Sequence, residues 1–555
     1  MKLIKIVVIS LLGFGSAFAQ TKGDYVKYFS QDEIRDTVKF LSDDGFAGRG
    51  PGSAGGELAA KYIAQRLKMA GIKPGNGTSY FQPVPLVGLR PDSNAKLNVS
   101  RTSDGKTFSF NFGTDFVAFT DAQKEDVNVE GDLVFVGYGI DAPELNWNDY
   151  KGDQSQYRGK ILLMLVNDPP ATESEPNLFG GKALTYYGRW TYKYEEAARK
   201  GAKGVILIHT DGSAGYGWSV VENSFGGTEH FSIARKPNSA EPHLDMKAWM
   251  KASSVKEFIK SSGTSLEALM KEATTRDFKP VQLNTNVSID LKAKLRRIDS
   301  NNVVGVWEGA DKNLKNEYVI YTGHWDHLGI GKPDESGDSI YNGAMDNASG
   351  VSQILALAEA FTKLPKKMQP KRTQIFLFTT AEEQGLLGSE FYAENPLYPL
   401  DKTAANINID GANFYGITTD FGALGANRST LKPLILDVLN KRKMELSPER
   451  GAEGGLFFRS DHFPFAKAGV PALSVGGGSK FVTPLTKELS EYQKNYGKLR
   501  YHQPADEFND NWKFDGAVQM LDIVMAIGIE ASDIKKLPAY IEGDEFAAVQ
   551  PNRKP

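Results

Sequence analysis

Tyr318-Val-Ile-Tyr-Thr322-Gly-His324-Trp-Asp326-His327 begins as an apolar run and ends in a cluster of polar, ligand-type side chains. A polar, glycine-rich loop then leads to Gly343-Ala-Met-Asp346-Asn-Ala-Ser-Gly350. Side-chain direction repeats every second residue of a strand, so His324 and Asp326 fall on the same side of this one. A carboxylate behind an imidazole accepts its other ring N–H and fixes the tautomer, an arrangement suited to a metal-ligating His324 oriented by Asp326. If the strand continues, His327 points the other way and stands behind the ligands at most. Asp346 lies just ahead of a helix start, and a carboxylate has two oxygens with which to bridge two metal ions. This stretch therefore implies a two-metal hydrolytic site whose remaining ligands come from elsewhere in the chain.

They appear where a regular alternation continues. Residues 303–307, 318–322, 374–380 and 404–409 read as strands, and 351–361 and the segment after Glu383 as helices. Near-continuous apolar strands alternating with helices predict an α/β fold, with a mixed, largely parallel sheet sandwiched by helices. Such sheets bind ligands beyond the carboxyl ends of their strands. His324 follows one strand, Ala381-Glu382-Glu383 the next, and Asp410 comes directly after Ile407-Asn-Ile409. Adjacent carboxylates diverge, so one of Glu382 and Glu383 can ligate while the other stays free to move protons. Paired glutamates at a helix start also suit the helix dipole, but His324, Asp346 and Asp410 on the same rim favour the metal role.

Tyr501-His502-Gln-Pro-Ala-Asp506 offers a further imidazole. The chain has only 7 histidines, so each can be placed. His209, His230 and His243 read as structural or exposed. His462, in Arg459-Ser-Asp-His-Phe-Pro464, suits either the substrate pocket or a packing role. Ser460-Asp461-His462 is no hydrolase triad, because three consecutive residues cannot converge as triad members do.

Composition narrows the partners. The 555 residues exceed one core and predict two or three domains, and 41% hydrophobic with 24% charged residues is ordinary for a globular protein. A net charge of −3 gives no reason to propose nucleic acid or an anionic membrane as partner. Lys2, Lys5, an apolar run and Ala17-Phe18-Ala19 have the order of a secretory signal at 1–19, too short for a membrane span, so none is expected after its removal. With 0 cysteines, any metal must be held by His, Asp and Glu.

Further upstream, Ser30-Gln-Asp-Glu33 is a capping box ahead of a helix, 48–53 is a glycine-rich packing turn and 54–70 a second helix. From 129 to 280 short apolar runs alternate with long polar and aromatic loops, the texture of a module placed inside another domain.

Taken together, Gly-His-x-Asp, Met-Asp-Asn-x-Ser-Gly, Ala-Glu-Glu, Asn408-Ile-Asp410-Gly and Tyr501-His502 resemble the co-catalytic di-zinc aminopeptidase and glutamate-carboxypeptidase-like family. The module at 129–280 resembles the protease-associated domain inserted in many of its members. The resemblance implies the following division: signal peptide 1–19, first part of the peptidase domain 20–128, insertion 129–280, catalytic domain 281–540 and C-terminal tail 541–555. It implies two Zn2+ per chain, one held by His324 and Asp410, the other by Glu383 and His502, with Asp346 as bridge. Glu382 would be the general base, Asp326 would orient His324, and Tyr501 would hydrogen-bond the oxyanion. The implied activity is an exported, periplasmic or secreted metallo-exopeptidase acting on peptides, foremost an aminopeptidase. A carboxypeptidase or dipeptidase, a one-zinc glutaminyl-cyclase-like acyltransferase and a non-catalytic transferrin-receptor-like protein are the alternatives. A strict preference for a C-terminal Glu would need paired basic residues, for which Arg428 and Arg459 are the candidates. Oligomeric state is not encoded in any of these motifs.

Overall fold

The computed structural model describes residues 25–214, 217–236 and 239–550, so the expected signal at 1–19 lies outside the described residues. At its centre Thr373–Thr379, Tyr318–His324, Thr403–Ile409 and Ala472–Gly477 lie side by side and parallel. Antiparallel strands flank them: the long strand Val281–Trp307 next to Thr373–Thr379, and Asp420–Leu424 next to Ala472–Gly477. The sheet is mixed with a parallel core.

Alternation along these strands decides which layer each residue joins. Tyr321, Phe376 and Ile407 pack on one face with the helices Gln31–Leu41, Ala54–Met69, Ser349–Thr362 and Asp515–Asp533. Ile320, Ile375 and Leu377 pack on the other with Leu387–Glu394 and His462–Lys467. Both faces are covered, which is why the strands are mostly apolar and their buried polar residues, such as Gln374 and Asn406, are hydrogen-bonded. The first helix starts where its capping box places it, with the Glu33 N–H donating to Ser30 Oγ at 3.3 Å.

Val281–Trp307 is one 27-residue strand shared by two sheets. Residues from Ala293 onward pair with Phe81–Pro91 in the first sheet. Its earlier half pairs with Lys96–Arg101 and Asp126–Phe135 in the second. That sheet continues through Ile161–Leu165, Gly204–His209 and Met246–Lys251 in parallel, and ends on Phe116–Phe119. It thus draws on strands between residues 96 and 292, wider than the 129–280 expected from texture. The strands Lys96–Arg101 and Thr107–Asn111 are half polar and read locally like a surface hairpin; only their pairing assigns them to this sheet.

Residues 541–550, in the expected C-terminal tail, pack against the body of the chain. Phe546 is buried, Asp544 and Glu545 pair with Arg428, and the Tyr186 N–H donates to Glu545.

Candidate metal centre

Parallel strands set their carboxyl ends along one rim, and the ligand-type residues meet there. His324 is the last residue of Tyr318–His324, Glu382 and Glu383 follow Thr373–Thr379, and Asp410 follows Thr403–Ile409. Asp346 is delivered by a turn at Gly343, whose φ of 57° favours glycine. The Met345 and Asp346 N–H groups donate to the Asp506 carboxylate, the latter at 3.0 Å. Asn347 donates from Nδ2 to the Ile409 carbonyl at 3.0 Å, tying the Asp346 turn to the strand that presents Asp410. The Asp346–Asn347 peptide is cis.

His324, Asp346 and Asp410 come together as one group, and Asp346 and Glu383 meet both His327 and His502 on the other side. His324 Nε2 lies 3.2 Å from Asp346 Oδ1 and 3.2 Å from Asp410 Oδ1. His502 Nε2 lies 3.4 Å from Asp346 Oδ2 and 2.9 Å from Glu383 Oε2. Each Asp346 oxygen therefore serves a different histidine. For ligands about 2.0–2.1 Å from a tetrahedral zinc, neighbouring donors stand roughly 3.3 Å apart, and the four histidine–carboxylate distances lie close to that spacing. Nitrogen and carboxylate oxygen are also the donor types a zinc site uses when no thiolate is present.

Glu382 is set back from the triplet of His324, Asp346 and Asp410 and from that of His502, Asp346 and Glu383, although with His324 and Glu383 it forms a further group close enough to hold an ion. Its Oε2 is 3.9 Å from His324 Nε2, beside those donors. Burial pushes Glu382 well above the usual carboxylate range, and the charges of Asp410 and Glu383 add to this against the opposing effect of His324. Burial works against protonation of His324, yet Glu382, Asp410 and Asp346 outweigh it and hold the imidazole well above its ordinary value. His502 is raised to about 10 against burial by its hydrogen bonds to Asp346 and Glu383. Imidazoles drawn so strongly toward their charged form mark a rim whose anionic charge calls for cations.

The supporting contacts differ from the sequence expectation in two places. His324 Nδ1 is 3.1 Å from the Asp326 backbone carbonyl and 4.0 Å from its carboxylate, whose Oδ1 instead accepts the Glu382 N–H at 3.2 Å. Asp326 is fully buried and its carboxyl is pushed up to about 7, by burial first. The strand ends at His324, so alternation does not carry His327 away: it turns back, and its Nδ1 lies 2.5 Å from Glu383 Oε1.

Three supports went unnoticed in the sequence. Ser460 Oγ donates to Asp410 Oδ2 at 2.6 Å, while accepting from Asn408 Nδ2 at 2.7 Å. Asp506 holds the Asp346 turn, as above; it stands in the quoted Tyr501–Asp506 motif but carried no local sign of this role. Arg49, 1% exposed, donates to the carbonyls of Trp325, Leu41, Asn342 and Gly343, fastening the His324 and Asp346 loops together.

A cleft of about 790 Å³ opens over the triplets, and Tyr501, His502 and Arg459 line it. Tyr501 is half exposed and stacks on the His502 ring at 3.9 Å. Arg428 is committed elsewhere, to Asp544, Glu545 and the rings of Phe457 and Phe546, so the cleft contains no Arg428–Arg459 pair. His462 is buried against Phe457 and does not line the cleft. Asp461 accepts from Thr379 Oγ1 and Ser460 faces Asp410, so the Ser460–His462 side chains diverge. His230 is stacked between Phe119 and Phe225, His209 packs beside Trp218, and His243 is exposed.

Residues 302–527 match the family model described as peptidase family M28. The chain is 32% identical over 171 residues to aminopeptidase NAALADL1 of Mus musculus, a match covering 28% of this chain and 21% of the mouse protein. It is 26% identical over 256 residues to aminopeptidase YwaD of Bacillus subtilis, covering 44% of this chain and 47% of that one. Each match spans less than half of the relative's own length. A solved aminopeptidase from Aneurinibacillus sp. strain AM-1 aligns over 93% of this chain and 96% of that chain, with a TM-score of 0.46 and 18% identity.

Proposed function

We propose, from the match of residues 302–527 to the model of peptidase family M28, that the chain is a zinc-dependent exopeptidase, an aminopeptidase that removes residues from the free N-terminus of peptides. The observation that carries this reading is the shared position of Asp346, with one oxygen in each His/carboxylate triplet and Glu382 beside them. His324, Asp346 and Asp410 would hold one zinc, and His502, Asp346 and Glu383 the other. When bound, the zinc pair supplies Lewis-acid polarisation of the scissile carbonyl and lowers the pKa of the attacking water.

The chain's own groups do the rest. Glu382, raised in proton affinity by burial, takes the proton of the attacking water and delivers it to the departing amine. Asp326 accepts the Glu382 N–H and so fixes the turn that carries this base. Ser460 restrains the Asp410 carboxylate, and Asp506 the backbone of Asp346. The Tyr501 hydroxyl, at the cleft surface, donates a hydrogen bond to the carbonyl oxygen as it gains charge. We place the mature chain outside the cytoplasm on the strength of residues 1–19. Among the described residues no helix is long and apolar enough to cross a membrane.

The test is a mass-spectrometric time course of zinc-loaded protein on matched free and N-acetylated peptides. Stepwise shortening from free N-termini alone is the expected result. Shortening from the C-terminus would replace the aminopeptidase with a carboxypeptidase, and intact peptides throughout would remove the peptidase reading.

A further inference from the structure

We propose that the module built on the second sheet forms part of the substrate site, with Trp190 as a specificity-determining residue for the N-terminal side chain of the peptide. This rests on the aminopeptidase reading above. The helix Trp190–Arg199 belongs to that module, yet Trp190, Thr191 and Glu195 line the cleft over the metal-type triplets. Trp190 is half-buried, and its ring is rooted edge-on among Tyr194, Phe225 and Trp249 at centroid distances of 5.9, 5.7 and 6.4 Å. A ring wedged in this way presents a fixed apolar surface at little entropic cost.

The module is tied down along this side of the cleft. Lys467 Nζ lies 3.2 Å from Glu195 on the module and 3.5 Å from Glu390 on the first domain, and all three residues line the cleft. The Leu184 N–H donates to the Ala452 carbonyl at 2.9 Å, and Tyr186 packs on Phe463 at 4.8 Å. These contacts join the module to Ala452 and the helix His462–Lys467 at this end of the cleft. In the proposed arrangement the side chain of the terminal residue lies at this joined end and the rest of the peptide extends away from it. Leu386, Leu456 and Phe458 also line the cleft, and Lys467, Glu195 and Glu390 are paired with one another, so a large apolar side chain is the match proposed for Trp190.

The experiment compares kcat/KM for peptides that differ only in an N-terminal Leu or Ala, using the full zinc-loaded chain. Trp190→Ala removes the wall, and the Leu-over-Ala ratio should fall at least about tenfold, the lower end of what one methylene is worth in an apolar pocket. Trp190→Phe keeps an aromatic wall and should fall in between. A ratio that stays at its original value in both variants overturns the proposal, and loss of all activity in both assigns Trp190 to folding and overturns it as well. If the unaltered chain shortens no free N-terminus, the aminopeptidase reading falls first and the subsite with it. Normal shortening with an unmoved ratio removes the subsite alone.

Discussion

Replacing Glu382 with glutamine preserves the size of the side chain and removes its charge and basicity. Glu382 Oε2 lies 3.9 Å from His324 Nε2, outside triplets whose internal spacings run from 2.9 to 3.4 Å, so the variant should still hold two zinc ions per chain. The Glu382 charge is among those that hold the His324 imidazole well above its ordinary value against burial. The zinc-free variant should accordingly release the His324 proton at markedly lower pH, which an imidazole NMR titration would follow. Losing the general base should lower kcat by about a hundred- to ten-thousand-fold, or about 3–5 kcal/mol of barrier. Metal content by mass spectrometry after gel filtration and steady-state kinetics on one peptide complete the assay. A variant that retained only one zinc would make Glu382 a ligand, and one with undiminished kcat would make it a bystander. Either result refutes the reasoning.

Asp346→Asn removes a charge that both triplets share, so both zinc ions should be lost together in a chelator titration; two stepwise losses at unaltered affinity would exclude the bridge. Arg49→Met removes a donor from four buried carbonyls, of which Gly343 keeps the Ala348 N–H, and should cost about 3–5 kcal/mol, read as a lower urea midpoint; an unmoved midpoint would show the loops need no such fastening. His502 in the zinc-free protein is raised to about 10, so its proton favours the folded state below its unfolded value of about 6.5 and that contribution fades as pH rises through about 10. Zinc must displace this proton, so apparent zinc affinity should climb across that window with protons released to buffer; calorimetry in two buffers of different ionisation enthalpy at about pH 8 would detect this, and identical heats would contradict it.

The short-range pattern of the chain determined the parallel core and its rim on its own. Apolar runs such as Tyr318–Thr322 and Thr373–Thr379, alternating with helical segments, fit strands buried on both faces, and the first polar residues after them then sit at the strand ends. His324, Glu382, Glu383 and Asp410 were legible for that reason, and Asp346 and His502 because they interrupt loops with ligand-type groups. Tertiary structure alone decided what each of these groups faces. His327 turns back to Glu383 because its strand stops at His324, a termination that alternation does not encode. Arg428 is consumed by Asp544 and Glu545, more than a hundred positions away, and Arg49 serves carbonyls nearly three hundred positions away. Half-polar strands before residue 129 joined the second sheet only through their partners on Val281–Trp307, and Trp190 reached the cleft only because that sheet docks beside it. The physical reason is one of range. Periodicity and strand ends follow from bonded neighbours and their φ/ψ preferences, whereas hydrogen-bond and ion-pair partners are chosen among groups that meet only once the chain has folded.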